Sequence, residues 1–248
     1  MTTAAAFQLK KAPSMTSQPR RALGILGLEV GLAPGEFPPP LPYSVFNPAT
    51  FDFPIIIETA AGAWADRVIL GDPTLEPAYI AAAQRLIERG AVAICGDCGF
   101  AIRHQAAVSA SVNVPVAMSS LLLVPTLLRQ LPADAKLAVV AADSTHCGVD
   151  LLGTDDPAAR ARVVIGGIEG GALWRNGRTR PPQPTSVAEI ELDVEACVAR
   201  LRAAHPEIAA LLFECTLFPM VTPAIRRVTG LPIYDTATLY RMTFASVA

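Results

Sequence analysis

Two cysteines frame the chemistry open to this chain. Cys98 stands in Ala91-Val-Ala-Ile-Cys-Gly-Asp-Cys-Gly-Phe100, and Cys215 stands 117 residues later in Ala209-Ala-Leu-Leu-Phe-Glu-Cys-Thr-Leu-Phe218. Each copy is an apolar run that stops at an acid and then a cysteine, and each leads into a helical pattern. In an open α/β sheet, small ligands bind beyond the carboxyl ends of the strands, where the next helix offers free N–H groups and the positive end of its dipole. That setting favours the thiolate, the reactive form of cysteine. A thiol also titrates near working pH, so two of them facing one cleft form a proton donor and acceptor pair.

Such a pair suits the inversion of a carbon acid, in which one base removes the α-proton and an acid on the other face delivers one. The carbanion between the two steps must spread its charge onto a neighbouring carboxylate or carbonyl. Donors aimed at that oxygen supply the largest effect, and removing one costs roughly 3 kcal/mol. The N–H groups of Gly99, Phe100, Thr216 and Leu217 form the expected cradle, and the hydroxyls of Thr216, Ser144 and Thr145 sit at strand ends where they can add donors. The expected substrate is a small molecule bearing a carboxylate or an amide carbonyl.

Other reactive residue types carry plainer readings. A lone free cysteine at the end of a buried run is ordinarily a small core residue; repeat-equivalent placement lifts Cys98 and Cys215 out of that class. Cys95 forms a C-x-x-C with Cys98, but its repeat partner is Leu212, so it reads as core. Cys147 and Cys197 read as packing. His104 and His146 are isolated, so no zinc ligand set is expected. Asp97 and Glu214 precede the thiols and point to the other side of their strands, where they either cap a neighbouring loop or orient the site. Glu29 and Asp143 are repeat partners that either hold an amino or amide group of the substrate or cap their strand ends. Arg175, Arg178 and Arg180 fall in a Gly/Pro-rich loop and read as solvated rather than as a carboxylate clamp.

The elements that must position the thiols occur twice. In the first half, strands are expected over 22–29, 54–59, 91–98 and 114–117, with helices over 77–89, about 101–112 and 119–130. In the second, strands are expected over 136–143, 163–168, 208–215 and 231–234, with helices over 194–204 and 236 to about 246. Strands that alternate with helices imply right-handed crossovers and parallel sheets. The reading is therefore α/β, with two pseudo-symmetric three-layer domains, each on a parallel four-stranded sheet, and the active site in the cleft between them. The first domain takes 21–117 together with the C-terminal helix 236–248, and the second takes 118–235. The helices at the ends of the two halves are candidates for exchange, with Leu239, Met242 and Phe244 on a buried face. Residues 1–20 read as a disordered extension, and the proline-rich stretch within 31–47 as a cover over the site.

Composition excludes several classes. With 20 basic and 22 acidic residues there is no electrostatic footprint for nucleic acid or an anionic membrane, and 52% hydrophobic content supplies a large core instead. No apolar run reaches the length of a membrane span. Five cysteines, an odd number without framework spacing, imply free thiols and a reducing, cytoplasmic setting. Homo-oligomerisation is left open.

The motifs Gly96-Asp-Cys-Gly-Phe, Glu214-Cys-Thr, Asn47-Pro-Ala-Thr-Phe and Ser119-Ser-Leu-Leu after a Val-Pro-Val strand resemble the aspartate/glutamate/hydantoin racemase superfamily over about residues 22–245. The resemblance implies no cofactor, a cysteine from each domain on opposite faces of the substrate's α-carbon, and substrate contacts that include Asn47 and Ser119. Glu29-Val30, Cys98-Gly-Phe and Cys215-Thr-Leu depart from the glutamate racemase pattern, and Phe100 and Leu217 imply a more apolar pocket. The leading expectation is a cofactor-independent racemase or epimerase, a two-thiol isomerase acting on an amino acid or hydantoin-like substrate. Its alternatives are a maleate-isomerase-like enzyme, an arylmalonate-decarboxylase-like enzyme, and a binding module without chemistry.

Overall fold

Short apolar runs with no charge in their interiors become central strands, because a parallel sheet covered on both faces has no solvated side. In the computed structural model, which describes residues 21–33, 36, 39 and 41–247, these runs form two all-parallel sheets. The first contains β1 (Ala22–Gly27), β2 (Ile55–Thr59), β3 (Ala91–Gly96) and β4 (Val116–Ala117) in the order β2-β1-β3-β4. The second contains β5 (Lys136–Ala141), β6 (Val163–Gly167), β7 (Ile208–Phe213) and β8 (Ile233–Tyr234) in the order β6-β5-β7-β8. The expected duplication is thus present strand for strand. The extension expected at 1–20 and part of the proline-rich stretch lie outside the described residues.

The helices are α1 (Ala65–Ile69), α2 (Glu76–Glu88), α3 (Gln105–Ser111), α4 (Val124–Gln130), α5 (Pro157–Ala161), α6 (Ala172–Gly177), α7 (Val187–Ala204), α8 (Thr222–Thr229) and α9 (Thr236–Ala245). Three of them, α1, α5 and α6, have only five or six residues, too few to stand out by period, and α8 is a further helix outside those expected. The expected helix over 194–204 starts at Val187, where Ser186 and Glu189 close a capping box. The helices expected from 101 and 119 each begin with a 3₁₀ turn, Gly99–His104 and Ser120–Leu123, before α3 and α4. Met242 is 55% exposed, contrary to the expectation that it lies on a buried face, whereas Leu239 is buried and Phe244 stacks on Phe53 at 4.3 Å.

The terminal segments of the two halves cross over. Helix α9 packs on β3 and β4, and α4 packs on β5. The buried Tyr240 hydroxyl of α9 donates to the Gly96 carbonyl at 2.9 Å, and the buried Ser120 hydroxyl donates to the Phe213 carbonyl at 2.7 Å. Both bonds end at the last residue of a strand that leads to one of the two cysteines.

Alternation within the second sheet decides what lies between the halves. Leu137, Val139, Ala141, Ala210 and Leu212 join one continuous core with the first half, while Ala138, Val140, Leu211 and Phe213 turn to a second core beneath α7 and α8. The carboxyl ends of both sheets therefore sit over shared packing.

Candidate active site

Both expected thiol strands end early, so that the cysteines occupy the turns that follow. Strand β3 stops at Gly96, and Cys98, in an extended conformation, precedes the 3₁₀ turn Gly99–His104. Strand β7 stops at Phe213, and Cys215 and Thr216 lead into the 3₁₀ turn Phe218–Met220. Phe100 N–H points at the Cys98 sulfur, and the N–H groups of Leu217 and Phe218 point at the Cys215 sulfur. Turn amides thus face each thiol, though from 3₁₀ turns rather than α-helix starts.

The two turns meet. The Thr216 hydroxyl donates to the Asp97 carbonyl at 3.0 Å, across the boundary between the halves. The Glu214 carboxyl reaches back the other way and rests on the Cys98 turn. A methyl group placed on Gly99 would lie 2.1 Å from Glu214 Oε1 and 2.5 Å from the Glu214 carbonyl oxygen. Glycine at 99 is a requirement of that close approach.

The acids before the thiols are built alike. Glu214 Oε2 accepts the N–H of Ala142 at 3.0 Å, just beyond β5. Asp97 accepts the N–H of Leu28, just beyond β1. Each acid therefore ties the first strand of its own half to the cysteine turn of the other. Both are buried, at 6% and 1% exposure for Asp97 and Glu214, and burial raises their affinity for a proton. Desolvation pushes Asp97 up to about 8 against its bonds from Leu28 and Thr216. It pushes Glu214 up to about 7, with nearby Asp143 adding to the rise and the N–H groups of Ala142 and Phe100 opposing it.

Both thiols are held above the ordinary cysteine range, first by burial and next by the charge of Glu214. Cys215 is near enough to raise Cys98 further, and Asp97 acts on both. The charged groups that act most strongly on either sulfur are acidic.

Because Asp97 and Glu214 bind protons more tightly folded than unfolded, their gain to the folded state is complete below the ordinary carboxylate range. It is lost as pH rises through about 7 and about 8. Stability measured by urea unfolding is expected to fall from mildly acidic to mildly alkaline pH by up to about 1.4 kcal/mol per unit for each group. The paired variant Asp97→Asn, Glu214→Gln should flatten that slope; an unchanged slope would contradict the assignment. Asp143 works in a separate, acidic window. Burial would raise it, but the Thr145 hydroxyl, His146 and Arg178 hold it down at about 2.

The remaining expected site residues are placed as follows. Thr145 gives its N–H to Asp143 at 3.0 Å, and its hydroxyl also reaches that carboxyl. The N–H of Ser144 donates to Glu169. Glu29 accepts the N–H of Gly31 at 3.0 Å, and so holds its own strand end. Asn47 caps the 3₁₀ turn Pro48–Thr50 through Ala49 N–H at 2.9 Å and donates to the Leu41 carbonyl at 3.1 Å. Ser119 caps the turn before α4, accepting from Leu121 N–H at 3.1 Å. In this structure Asn47, Glu29 and Ser119 therefore spend hydrogen bonds on their own loops.

Sequence reading also missed ties across the rim. Arg178 is exposed, as expected, and also pairs with Asp143 at 2.9 Å and lies over the Trp174 ring at 4.5 Å. Arg180 pairs with Asp66 of the first half and lies over Trp64 at 5.3 Å. Arg103 binds Asp150 at 2.9 Å and the His146 carbonyl at 3.0 Å, again across the halves. Of the expected trio, Arg175 reaches only the Gly170 carbonyl nearby in the chain. Cys95, Cys147 and Cys197 are buried, as expected of packing residues. Among the described residues no cluster of ligating side chains suited to a metal ion occurs, and no helix is long and apolar enough to cross a membrane.

Comparison with solved structures assigns the class by fold. Glutamate racemase from Francisella tularensis subsp. tularensis SCHU S4, in complex with D-glutamate, superposes with a TM-score of 0.56 at 15% identity, covering 92% of this chain and 81% of that one. Arylmalonate decarboxylase superposes with a TM-score of 0.53 at 14% identity, covering 91% and 92%. The architecture is that of the aspartate/glutamate/hydantoin racemase superfamily. No protein-family model matches the chain. By sequence, a dimethylsulfoniopropionate lyase of Durusdinium sp. clade D is 30% identical over 210 residues, which is 79% of this chain and 67% of that protein. Dimethylsulfoniopropionate lyase 3 of Emiliania huxleyi (strain CCMP1516) is 29% identical over 242 residues, 91% of this chain and 60% of that protein. The chain spans roughly three fifths to two thirds of the length of these relatives. It belongs to the dimethylsulfoniopropionate lyase family.

Proposed function

We propose that the chain is a lyase that removes the proton next to a carboxylate and expels a neutral sulfide from the β-carbon, with dimethylsulfoniopropionate as substrate. Family membership supports the reaction type and the choice of substrate, and one feature of the site supports a shared reaction centre: the two cysteine turns meet, with Thr216 bonded to the Asp97 carbonyl at 3.0 Å. A sulfonium entering beside a thiol also stabilises its thiolate, so that the substrate itself helps to ionise the base.

In the proposed step, a thiolate sulfur takes the α-proton. The electron pair of that C–H bond becomes the Cα=Cβ bond, and the pair of the Cβ–S bond leaves with sulfur. The products are dimethyl sulfide, acrylate and one proton, and the leaving group, being neutral, needs no acid. The N–H groups of Gly99 and Thr216 are the donors proposed to hold the carboxylate as charge moves onto it, since those of Phe100 and Leu217 already face the sulfurs.

Racemisation of an amino acid or hydantoin uses the same first step and returns a proton from the opposite thiol. One assay separates the two. The enzyme is incubated in deuterated water with dimethylsulfoniopropionate and, separately, with amino acids, hydantoins and aryl-substituted malonates. Headspace gas chromatography reads dimethyl sulfide, and NMR reads α-deuterium. Sulfide release from the sulfonium substrate is expected. Deuterium entering an amino acid or hydantoin without sulfide release would replace elimination by racemisation.

A further inference from the structure

The groups around the two sulfurs are covered. Gly99 and Thr216 are buried, as are Phe100 and Glu214 beside them, and Cys98 and Cys215 are half-buried. A ligand has to displace part of the chain to reach the Gly99 and Thr216 N–H groups. How each contact across the halves is made decides what can move.

Most crossings are built to stay. The hydroxyls of Thr216, Tyr240 and Ser120 are buried and donate to the carbonyls of Asp97, Gly96 and Phe213 at or beside strand ends. Breaking such a bond would leave buried polar groups unpaired. Arg103 reaches Asp150 and the His146 carbonyl from a side chain that is mostly covered.

The connection between α6 and α7 is made differently, because residues 176–185 are bonded chiefly to one another. The Asn176 carbonyl accepts the Gln183 N–H at 3.0 Å and the Thr179 hydroxyl at 2.8 Å. The Asn176 side-chain amide donates to the Pro184 carbonyl at 3.1 Å and to the Thr185 hydroxyl at 3.0 Å. One residue thus ties both ends of the loop, and a compact loop closed on itself keeps its shape when it moves.

The tip of this loop rests on the first half through surface contacts. Arg180 pairs with Asp66 and lies over the Trp64 ring, and the two paired side chains are 44% and 35% exposed. Pro181 sits against Gly31, where an added methyl would lie 3.3 Å from Pro181 Cβ and 3.5 Å from Trp64 Cη2. Exposed ion pairs and exposed cation–π contacts are each weak, and salt weakens the ion pair further.

The loop also spans the right ground. Gly31 follows shortly after Leu28, whose N–H Asp97 accepts. At the other end Arg178 holds Asp143 at 2.9 Å, next to Ala142, whose N–H Glu214 accepts. The loop therefore bridges the extensions of β1 and β5, on which the acids of both cysteine turns are anchored.

We propose that residues 178–185 form a strap that closes the cleft over the cysteine turns and lifts as a unit to admit substrate, with the Arg180–Asp66 pair as its latch. The strap is independent of which reaction the thiols perform. Arg180 and Asp66 touch no reacting atom.

The test is the rate at which iodoacetamide, a neutral reagent, labels Cys98 and Cys215 in the intact chain, read by peptide mass spectrometry. Arg180→Ala and Asp66→Asn are each expected to speed labelling of both sulfurs by about fivefold, and the double variant no more than either, because all three remove one contact. Reversing the pair, Asp66→Arg with Arg180→Asp, should return the rate toward that of the wild type. Cys95, Cys147 and Cys197 should stay unlabelled, which separates lifting of the strap from unfolding. Raising the salt concentration should speed labelling of the wild type in the same way, a measurement that stands even if a variant fails to fold. Wild-type labelling rates in both single variants, a reversed pair that labels as fast as the double variant, or a wild-type rate that does not rise with salt would overturn the latch.

Discussion

Replacing either Cys98 or Cys215 by alanine is expected to lower sulfide release by about a thousandfold or more, in line with the loss of a general base or of a group that shapes the same transition state. The double variant should be little worse than either single one, because groups that act as a unit are not additive in their loss. The reason is geometric. Thr216 bonds the Asp97 carbonyl at 3.0 Å, and Glu214 lies against Gly99, so a change in one turn is felt in the other. Steady-state kinetics of the three variants check the expectation. Losses that multiply would mean that the two sulfurs act at separate sites, and one fully active single variant would reduce the chemistry to one thiol.

Changing Gly99 to alanine is expected to be the most damaging substitution that leaves every proposed reacting group in place. The added methyl would sit 2.1 Å from Glu214 Oε1 and 2.5 Å from the Glu214 carbonyl oxygen. A side-chain carboxyl can swing aside, but a backbone oxygen at the end of a central strand cannot. The halves must therefore separate by the better part of an ångström, at about 1 to 3 kcal/mol of stability. Displacement on that scale typically costs on the order of a hundredfold in rate. Thermal unfolding and kcat read the two effects, and the further change Glu214→Gly should recover little, because the carbonyl remains. Wild-type stability and rate in Gly99→Ala would show that the halves are not in contact here.

Much of this was legible in the sequence, for a physical reason. Central parallel strands are apolar throughout, so the runs at 22–27, 91–96, 136–141 and 208–213 stand out, and their recurrence at a near-constant interval reveals the duplication. The pairing of Cys98 with Cys215 is read from their equivalent places in that repeat. What stayed hidden depends on contacts between distant segments. Arg178 and Arg180 read as solvated and are exposed, but the sequence does not show their partners Asp143 and Asp66, which lie 35 and 114 residues away. Asp97 and Glu214 could not be told from local caps, because each joins a strand of its own half to the turn of the other. Helix α7 was cut short, although Ser186 and Glu189 form a start signal readable at their spacing; the apolar period becomes regular only from Val194. Met242 was misplaced because a stripe of apolar residues does not reveal which of them a neighbour covers.

Selective alkylation tests directly whether the two sulfurs share one cleft. Native enzyme treated with limiting iodoacetamide and analysed by intact and peptide mass spectrometry is expected to carry one label per chain, on Cys98 or on Cys215 but never on both, with turnover lost in proportion. Cys95, Cys147 and Cys197 should stay unlabelled, since all three are buried. Chains labelled at both Cys98 and Cys215, or labelled chains that still release dimethyl sulfide, would contradict it.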